Sequence, residues 1–187
     1  MKRNDLKLIN AFVIEFDVYG DQRGWFTESY NRDNFLNLGI ETEFIQDNHS
    51  FSKEKGVLRG LHFQLEPKAQ TKLVRCTRGK ILDVIVDLRK NSPTYLQHEK
   101  VLLSEDNFKQ LYVPKGFAHG FLTLTDDVEV QYKVDEVYSK EHDRSIRYND
   151  PQLGIEWEIE DPILSQKDTN APLLKDADAS FIFGGTQ

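Results

Sequence analysis

The sequence is short of sulfur, of cationic charge and of long apolar runs. A single cysteine, Cys76, among 187 residues excludes an intramolecular disulfide and suits a reducing compartment. Lys and Arg number 24 against 31 Asp and Glu, a net charge of −7. That balance is the reverse of a generic nucleic-acid-binding surface. An anionic small ligand therefore needs cations gathered locally. No apolar run approaches a membrane span, and the opening MKRNDLKLINAF lacks the apolar centre of a signal peptide. The expectation is a cytoplasmic protein with neither nucleic acid nor membrane as partner. Repeats, low-complexity segments and Pro/Gly/Ser linkers are missing too, so one domain over residues 1–187 is expected. The strong short motifs GxGxxG, GxSxG, CxxC and HExxH are likewise absent.

What is present is a series of short runs rich in Val, Ile, Phe and Tyr. Examples are AFVIEFDVYG, LVRCTRGKILDVIVDLRK, HEKVLLSE, KQLYVPKGFAHGFLTL and VEVQYKV. Turn signals separate them, among them Gly20-Asp21, Arg78-Gly79, Ser92-Pro93 and Pro114-Lys115-Gly116. This spacing predicts an all-β sandwich or barrel. Helical patterning is confined to NRDNFLNLG, with Gly39 as its stop, and weakly to DTNAPLLKDADA. The tail after Asp178 is expected to be loosely held.

Two strands can be read by parity. In VEVQYKV, Val128, Val130, Tyr132 and Val134 share one face and Glu129, Gln131 and Lys133 the other. Tyr132 is thus expected to point into the barrel. It reads equally as a core tyrosine. In GVLRGLHFQ, strict alternation would put Arg59 and His62 on opposite faces. Gly60 between them predicts a local irregularity that turns both side chains inward, where both are expected to be buried.

Other polar residues sit in apolar contexts: Arg23 and Glu28 in DQRGWFTES, Gln46, Asp47 and Asn48 in FIQDNHSFS, Lys72 in QTKLVR, His119 in PKGFAHGF and Asp168 in LSQKDTNAP. Each has a plainer reading as an ion pair, a turn former, a solvated strand residue or a hydrogen-bonded core histidine. The histidines form no ligand pair at i, i+2 or i, i+4, so no metal is expected. A metal-free set of imidazole, phenol, carboxylate, ammonium and guanidinium suits proton transfer beside a carbonyl. A neutral His is matched to abstraction near pH 7. An ammonium such as Lys72 would stabilise the enolate. A buried Tyr would return a proton from the opposite face, and a carboxylate would orient the imidazole.

The stretches DQRGWFTESYN, FIQDNHSFSKEKGVLRGLHFQ, KLVRCTRGKILDVIVDLRKNSPTY, VPKGFAHGFLTL, YKVDEVYS, RYNDPQLGIEW and ILSQKDTNAP resemble, in order, the dTDP-4-dehydrorhamnose 3,5-epimerase family. The resemblance implies a cupin-type jelly-roll barrel with a few short peripheral helices, active as a homodimer. In it the N-terminal strand pairs either with its own barrel or with a neighbour's. It implies a cofactor-independent epimerase that inverts C3 and C5 of dTDP-4-dehydro-6-deoxy-D-glucose. By position, His62 matches the base, Asp168 its carboxylate, Tyr132 the proton donor, Lys72 the group at the C4 oxygen and His119 a further pocket residue. Arg23 and Arg59 match phosphate-holding groups. Phe26, Glu28, Gln46, Asp47, Asn48, Tyr138 and Lys167 match substrate contacts. Asp143 stands where the family often has Glu, which shortens a nucleotide-side contact. Alternatives from the sequence are inversion at one carbon only, on a related nucleotide 4-keto sugar, and a non-catalytic nucleotide-sugar binding protein.

Overall fold

The computed structural model describes residues 1–184. In chain order its elements are β1 (Lys2–Asp5), β2 (Phe12–Glu15), β3 (Tyr19–Asp21), β4 (Gly24–Phe26), α1 (Arg32–Asn37), β5 (Gln46–Ser52), β6 (Leu58–Gln64), β7 (Lys72–Arg78), β8 (Lys80–Asp87), β9 (His98–Ser104), β10 (Lys109–Val113), β11 (Phe117–Thr123), β12 (Val128–Val134), β13 (Asp143–Ser145) and α2 (Gln166–Thr169). One sheet runs β1-β2-β10-β7-β12-β5 and the facing sheet β13-β6-β11-β8-β9, with β3-β4 a separate hairpin. This is the expected all-β, cupin-type jelly-roll barrel with short peripheral helices.

Strand parity divides the core into layers. Val13, Val74, Ile81, Ile85, Phe117 and Val130 fill the barrel between the sheets. The outer face of the five-stranded sheet is also covered: Phe63, Val84, Val86 and Ala118 pack under Ile146, Leu153, Trp157 and Phe181. Burial on both faces explains why ILDVIVD reads as an almost unbroken apolar run rather than an alternation. On the six-stranded sheet, Phe12, Ile14 and Leu73 are covered by Phe35 and Ile40 from the α1 segment.

Helix α1 sits where the sequence places it. The Asn31 side chain caps it by accepting the Asn34 N–H. At its end Gly39 takes φ +75°. There the Gly39 and Ile40 N–H groups reach the Leu36 and Phe35 carbonyls at 2.9 Å each, the bonding of a Schellman stop.

The N-terminal arm lies on its own barrel in this chain. β2 pairs with β10, and the turn that leads into it from β1 is held from outside. The Glu99 carboxylate accepts the Lys7 N–H at 3.0 Å, and Arg89 donates to the Ile9 carbonyl at 2.9 Å. Arg89 is itself fixed by the fully buried Asp87, whose oxygens also accept from Ser92 and Thr94 at 2.6 and 2.7 Å. This network is the structural content of DLRKNSPT.

The tail after Asp178 was expected to be loosely held; as far as Gly184 it lies on the barrel, with a parallel bridge between Lys90 and Ile182, and residues 185–187 lie outside the described residues. Phe181 is buried and meets Phe63 edge-on at 5.8 Å. The apolar residues of ASFIF find a groove that only the folded barrel creates. Among the described residues no helix is long and apolar enough to cross a membrane.

Candidate active site

The floor of the site is the irregular strand. On β11, His119 and Phe121 share a face. Their partners on β6 are His62 and Arg59, three positions apart, because the register shifts between them. The extra residue is absorbed at Gly60, which has φ +130°. Arg59 and His62 therefore point to the same side, as expected for GVLRGLHFQ. Only glycine fits there: a β-carbon on Gly60 would stand 2.9 Å from the His119 carbonyl oxygen.

Arg59, His62, Lys72, His119, Tyr132 and Asp168 line one cavity of about 370 Å³. Each arrives by strand parity or a short local device. Lys72 shares the inward face of β7 with Val74 and Cys76, both buried. Tyr132 shares that of β12 with Val128, Val130 and Val134, and packs on the barrel core. Asp168 comes from α2, where the Ser165 hydroxyl accepts its N–H at 3.1 Å and donates to its carboxylate at 2.8 Å. Arg59 was expected to be buried; it is exposed at the cavity rim, tied to the Phe51 carbonyl at 3.0 Å and the Ser52 hydroxyl at 3.3 Å. A guanidinium there stays hydrated until a ligand displaces the water.

The electrostatics suit proton transfer. His62 Nε2 lies 2.5 Å from Asp168 Oδ1. Donating to that oxygen leaves the imidazole lone pair on Nδ1. Burial lowers the His62 pKa, and the hydrogen bond and charge of Asp168 offset this only in part, so the ring is neutral at pH 7. Burial pushes the Asp168 carboxyl up, but its bond to His62 and the Ser165 hydroxyl outweigh that and hold it low. Burial also lowers Lys72 to about 8 against the pull of Asp83 and Asp143. It raises the Tyr132 phenol, which therefore keeps its proton.

Asp83 was missed from the sequence. It is fully buried on the inward face of β8. His119 Nε2 lies 2.9 Å from its Oδ1 and 3.0 Å from its Oδ2, aligned for a hydrogen bond with Oδ2. The available signal was an acid inside ILDVIV on the parity of Ile81 and Ile85, a position that tolerates charge only with a partner.

The remaining candidates divide. Asp143 accepts from Lys167 Nζ at 2.5 Å and from the Tyr138 hydroxyl at 3.3 Å, and its charge bears on both Lys72 and Tyr132. This group joins α2 to β13 beside the cavity. Gln46 and Asn48 lie on the inward row of β5, bonded to each other at 2.8 Å. Asp47 does not join them: alternation turns it to the exposed face, where it holds Lys133 at 2.8 Å. Arg23, Phe26 and Glu28 are not brought to the cavity of this chain. Arg23 projects 90% exposed from the β3-β4 hairpin, paired with Asp21, and Phe26 is exposed beside it. Glu28 accepts from the Asn31 and Asn34 side chains at the start of α1. Among the described residues no group of three or more His, Cys, Asp or Glu is placed to hold a metal ion.

The sequence signature of dTDP-4-dehydrorhamnose 3,5-epimerase matches residues 5–176. The chain belongs to that family. Among family members it is 50% identical to the dTDP-4-dehydrorhamnose 3,5-epimerase of Shigella flexneri, over 90% of this chain and 93% of that protein. The crystal structure of the Bacillus anthracis epimerase, with TDP and PPi bound, superposes with a TM-score of 0.91 at 53% identity, covering 92% of this chain and 99% of that one. The Legionella pneumophila dTDP-6-deoxy-D-glucose-3,5-epimerase, in complex with dTDP-4-keto-L-rhamnose, gives a TM-score of 0.93 at 41% identity, covering 98% and 99%.

Proposed function

We propose that the protein inverts C3 and C5 of dTDP-4-dehydro-6-deoxy-D-glucose to give dTDP-4-dehydro-L-rhamnose, using its own side chains and no cofactor. The observation that carries this reading is His62, held by Asp168 at 2.5 Å and lining one cavity with Lys72 and Tyr132.

Both carbons flank the C4 ketone, so each C–H is acidified by the same carbonyl. His62 Nδ1 takes the proton from one face while the electron pair moves to the C4 oxygen. The Lys72 ammonium meets the developing enolate charge in a dry setting. Tyr132 gives its phenolic proton to the opposite face as the enolate collapses, leaving a phenolate that solvent reprotonates as His62 releases its proton. Asp168 holds the imidazole tautomer and favours the imidazolium that forms. Arg59 binds the pyrophosphate, a geometry a planar fork matches better than a lysine. Two such turns, one per carbon, complete the conversion.

The same reading makes the protein a cytoplasmic homodimer of one-domain chains. The hairpin supports it: Tyr19, Trp25 and Phe26 are exposed together beside Arg23. Docked at the mouth of a second copy's cavity, they would be covered and would add a cation for the nucleotide diphosphate.

The test is incubation with dTDP-4-dehydro-6-deoxy-D-glucose in D2O, with deuterium at C3 and C5 followed by NMR and the product trapped by a 4-reductase. Exchange at both carbons with dTDP-L-rhamnose trapped is expected. Inversion at a single carbon would make the protein a mono-epimerase, and no exchange would leave a binding protein.

A further inference from the structure

The inward row of β5 is polar along its length: Gln46, Asn48, Ser50 and Ser52. The ends of this row are occupied. Gln46 bonds Asn48 at 2.8 Å, and Ser52 accepts from Arg59 at 3.3 Å. Ser50 is not. Its Oγ is buried with no partner, although Ser50 lines the His62 cavity. The other buried oxygen without a hydrogen bond among the described residues, Asp83 Oδ1, at least faces the His119 ring at 2.9 Å. An unpaired buried hydroxyl is unfavourable unless a ligand completes it.

Position along the strand narrows which ligand atom that is. At the Ser52 end stands Arg59, the phosphate-binding group of the proposed function. At the other, Asn48 lies opposite Tyr132, the proton donor, while Ser50 itself lies opposite Val130. Each two-residue step is about 7 Å. Ser50 therefore falls between the group that holds the phosphate on C1 and the group that protonates the ring carbons. Between C1 and the reacting carbons a hexose offers the ring oxygen on one side and the C2 hydroxyl on the other. The free Ser50 hydroxyl can both donate and accept. Only the C2 hydroxyl can answer both.

We infer that Ser50 is a substrate-binding residue that hydrogen-bonds the C2 hydroxyl of the hexose, so that the site selects 2-hydroxy over 2-deoxy nucleotide sugars. The inference rests on the proposed function for the direction in which the sugar lies. Fixing C2 beside Arg59 sets the ring against His62 and Tyr132, and an unanswered Ser50 penalises a 2-deoxy sugar.

Titration calorimetry tests this without turnover, using dTDP-6-deoxy-D-glucose and its 2-deoxy counterpart. Both lack the C4 ketone and cannot react, so a failure of the epimerase reading is seen in the exchange experiment and a failure here is seen in binding. The parent is expected to bind the 2-hydroxy sugar about tenfold more tightly, the scale of one hydrogen bond. Ser50→Ala is expected to bind the two within about twofold, and to melt at or above the parent temperature because the lost hydroxyl had no partner. Equal binding of both sugars by the parent, an unchanged preference in Ser50→Ala, or a lower melting temperature in that variant would each overturn the inference.

Discussion

Gly60 and Gly120 meet back to back across β6 and β11: a β-carbon on Gly60 would stand 2.5 Å from the Gly120 Cα. That close approach lets β6 carry its extra residue and turn Arg59 and His62 to one side. Gly60→Ala adds both the clash and a side chain at φ +130°. The expected cost is about 2–4 kcal/mol of stability, with at least tenfold loss of activity as His62 shifts. Gly154→Ala is the control, because nothing lies within 4 Å of its β-carbon and only φ +58° opposes it. It should cost about 1 kcal/mol and leave turnover intact. Denaturant midpoints of the two variants decide the matter.

The base and the acid separate in exchange experiments. His62→Ala should abolish deuterium incorporation at both carbons. Tyr132→Phe should keep exchange while losing inversion, since abstraction uses His62 and only return from the far face uses the phenol. Asp168→Asn removes the carboxylate that orients the imidazole and raises its pKa, so kcat should fall by about 10²–10⁴-fold with KM little changed. Normal turnover by His62→Ala would falsify the mechanism.

The pH profile has a worked sign on each side. His62 must be neutral to accept a proton, and burial lowers it below 6.5. Activity should therefore fall only as pH drops below that value. Lys72 must be charged to meet the enolate, and burial lowers it to about 8. Activity should decline as pH rises past about 8. Asp83 favours the charged lysine, so Asp83→Asn should move the alkaline limb to lower pH. A limb that stays in place would remove Lys72 from that role.

The same lysine burdens the fold. Its folded pKa lies below its unfolded value of 10.5, so its charged form disfavours folding wherever both states carry the proton. Lys72→Met should raise the thermal midpoint at neutral pH while eliminating activity. The gain should be largest below about pH 8 and fade as pH rises from 8 toward 10.5, as the native lysine sheds its charge. Melting curves at pH 7 and pH 10 measure it.

The tail should count in stability. Phe181 is buried and meets Phe63, the residue after His62, edge-on at 5.8 Å. Phe181→Ala is expected to cost about 3 kcal/mol, toward the low end for a buried phenylalanine because the groove is at the surface. A midpoint unchanged from the parent would mean that the strap does not hold.

Local chemistry alone determined much of this protein. The inward placement of Tyr132, the Gly39 stop of α1, the irregularity at Gly60 and the all-β architecture follow from periodicity and from what glycine permits, and periodicity is a property of neighbouring residues. Which polar residues become partners is not. His62 and Asp168 are separated by 106 positions, and no local rule brings them to 2.5 Å; the barrel does, with the Ser165 cap presenting the carboxylate. Asp47 shows the limit from the other side: it sits between Gln46 and Asn48, yet strand alternation sends it to the opposite face and to Lys133. Asp83 in its apolar strand and the unpaired Ser50 acquire meaning only when the sheets close and remove water from around them. Whether a hydroxyl or a carboxylate finds a partner depends on every strand that surrounds it, so tertiary structure alone decided it.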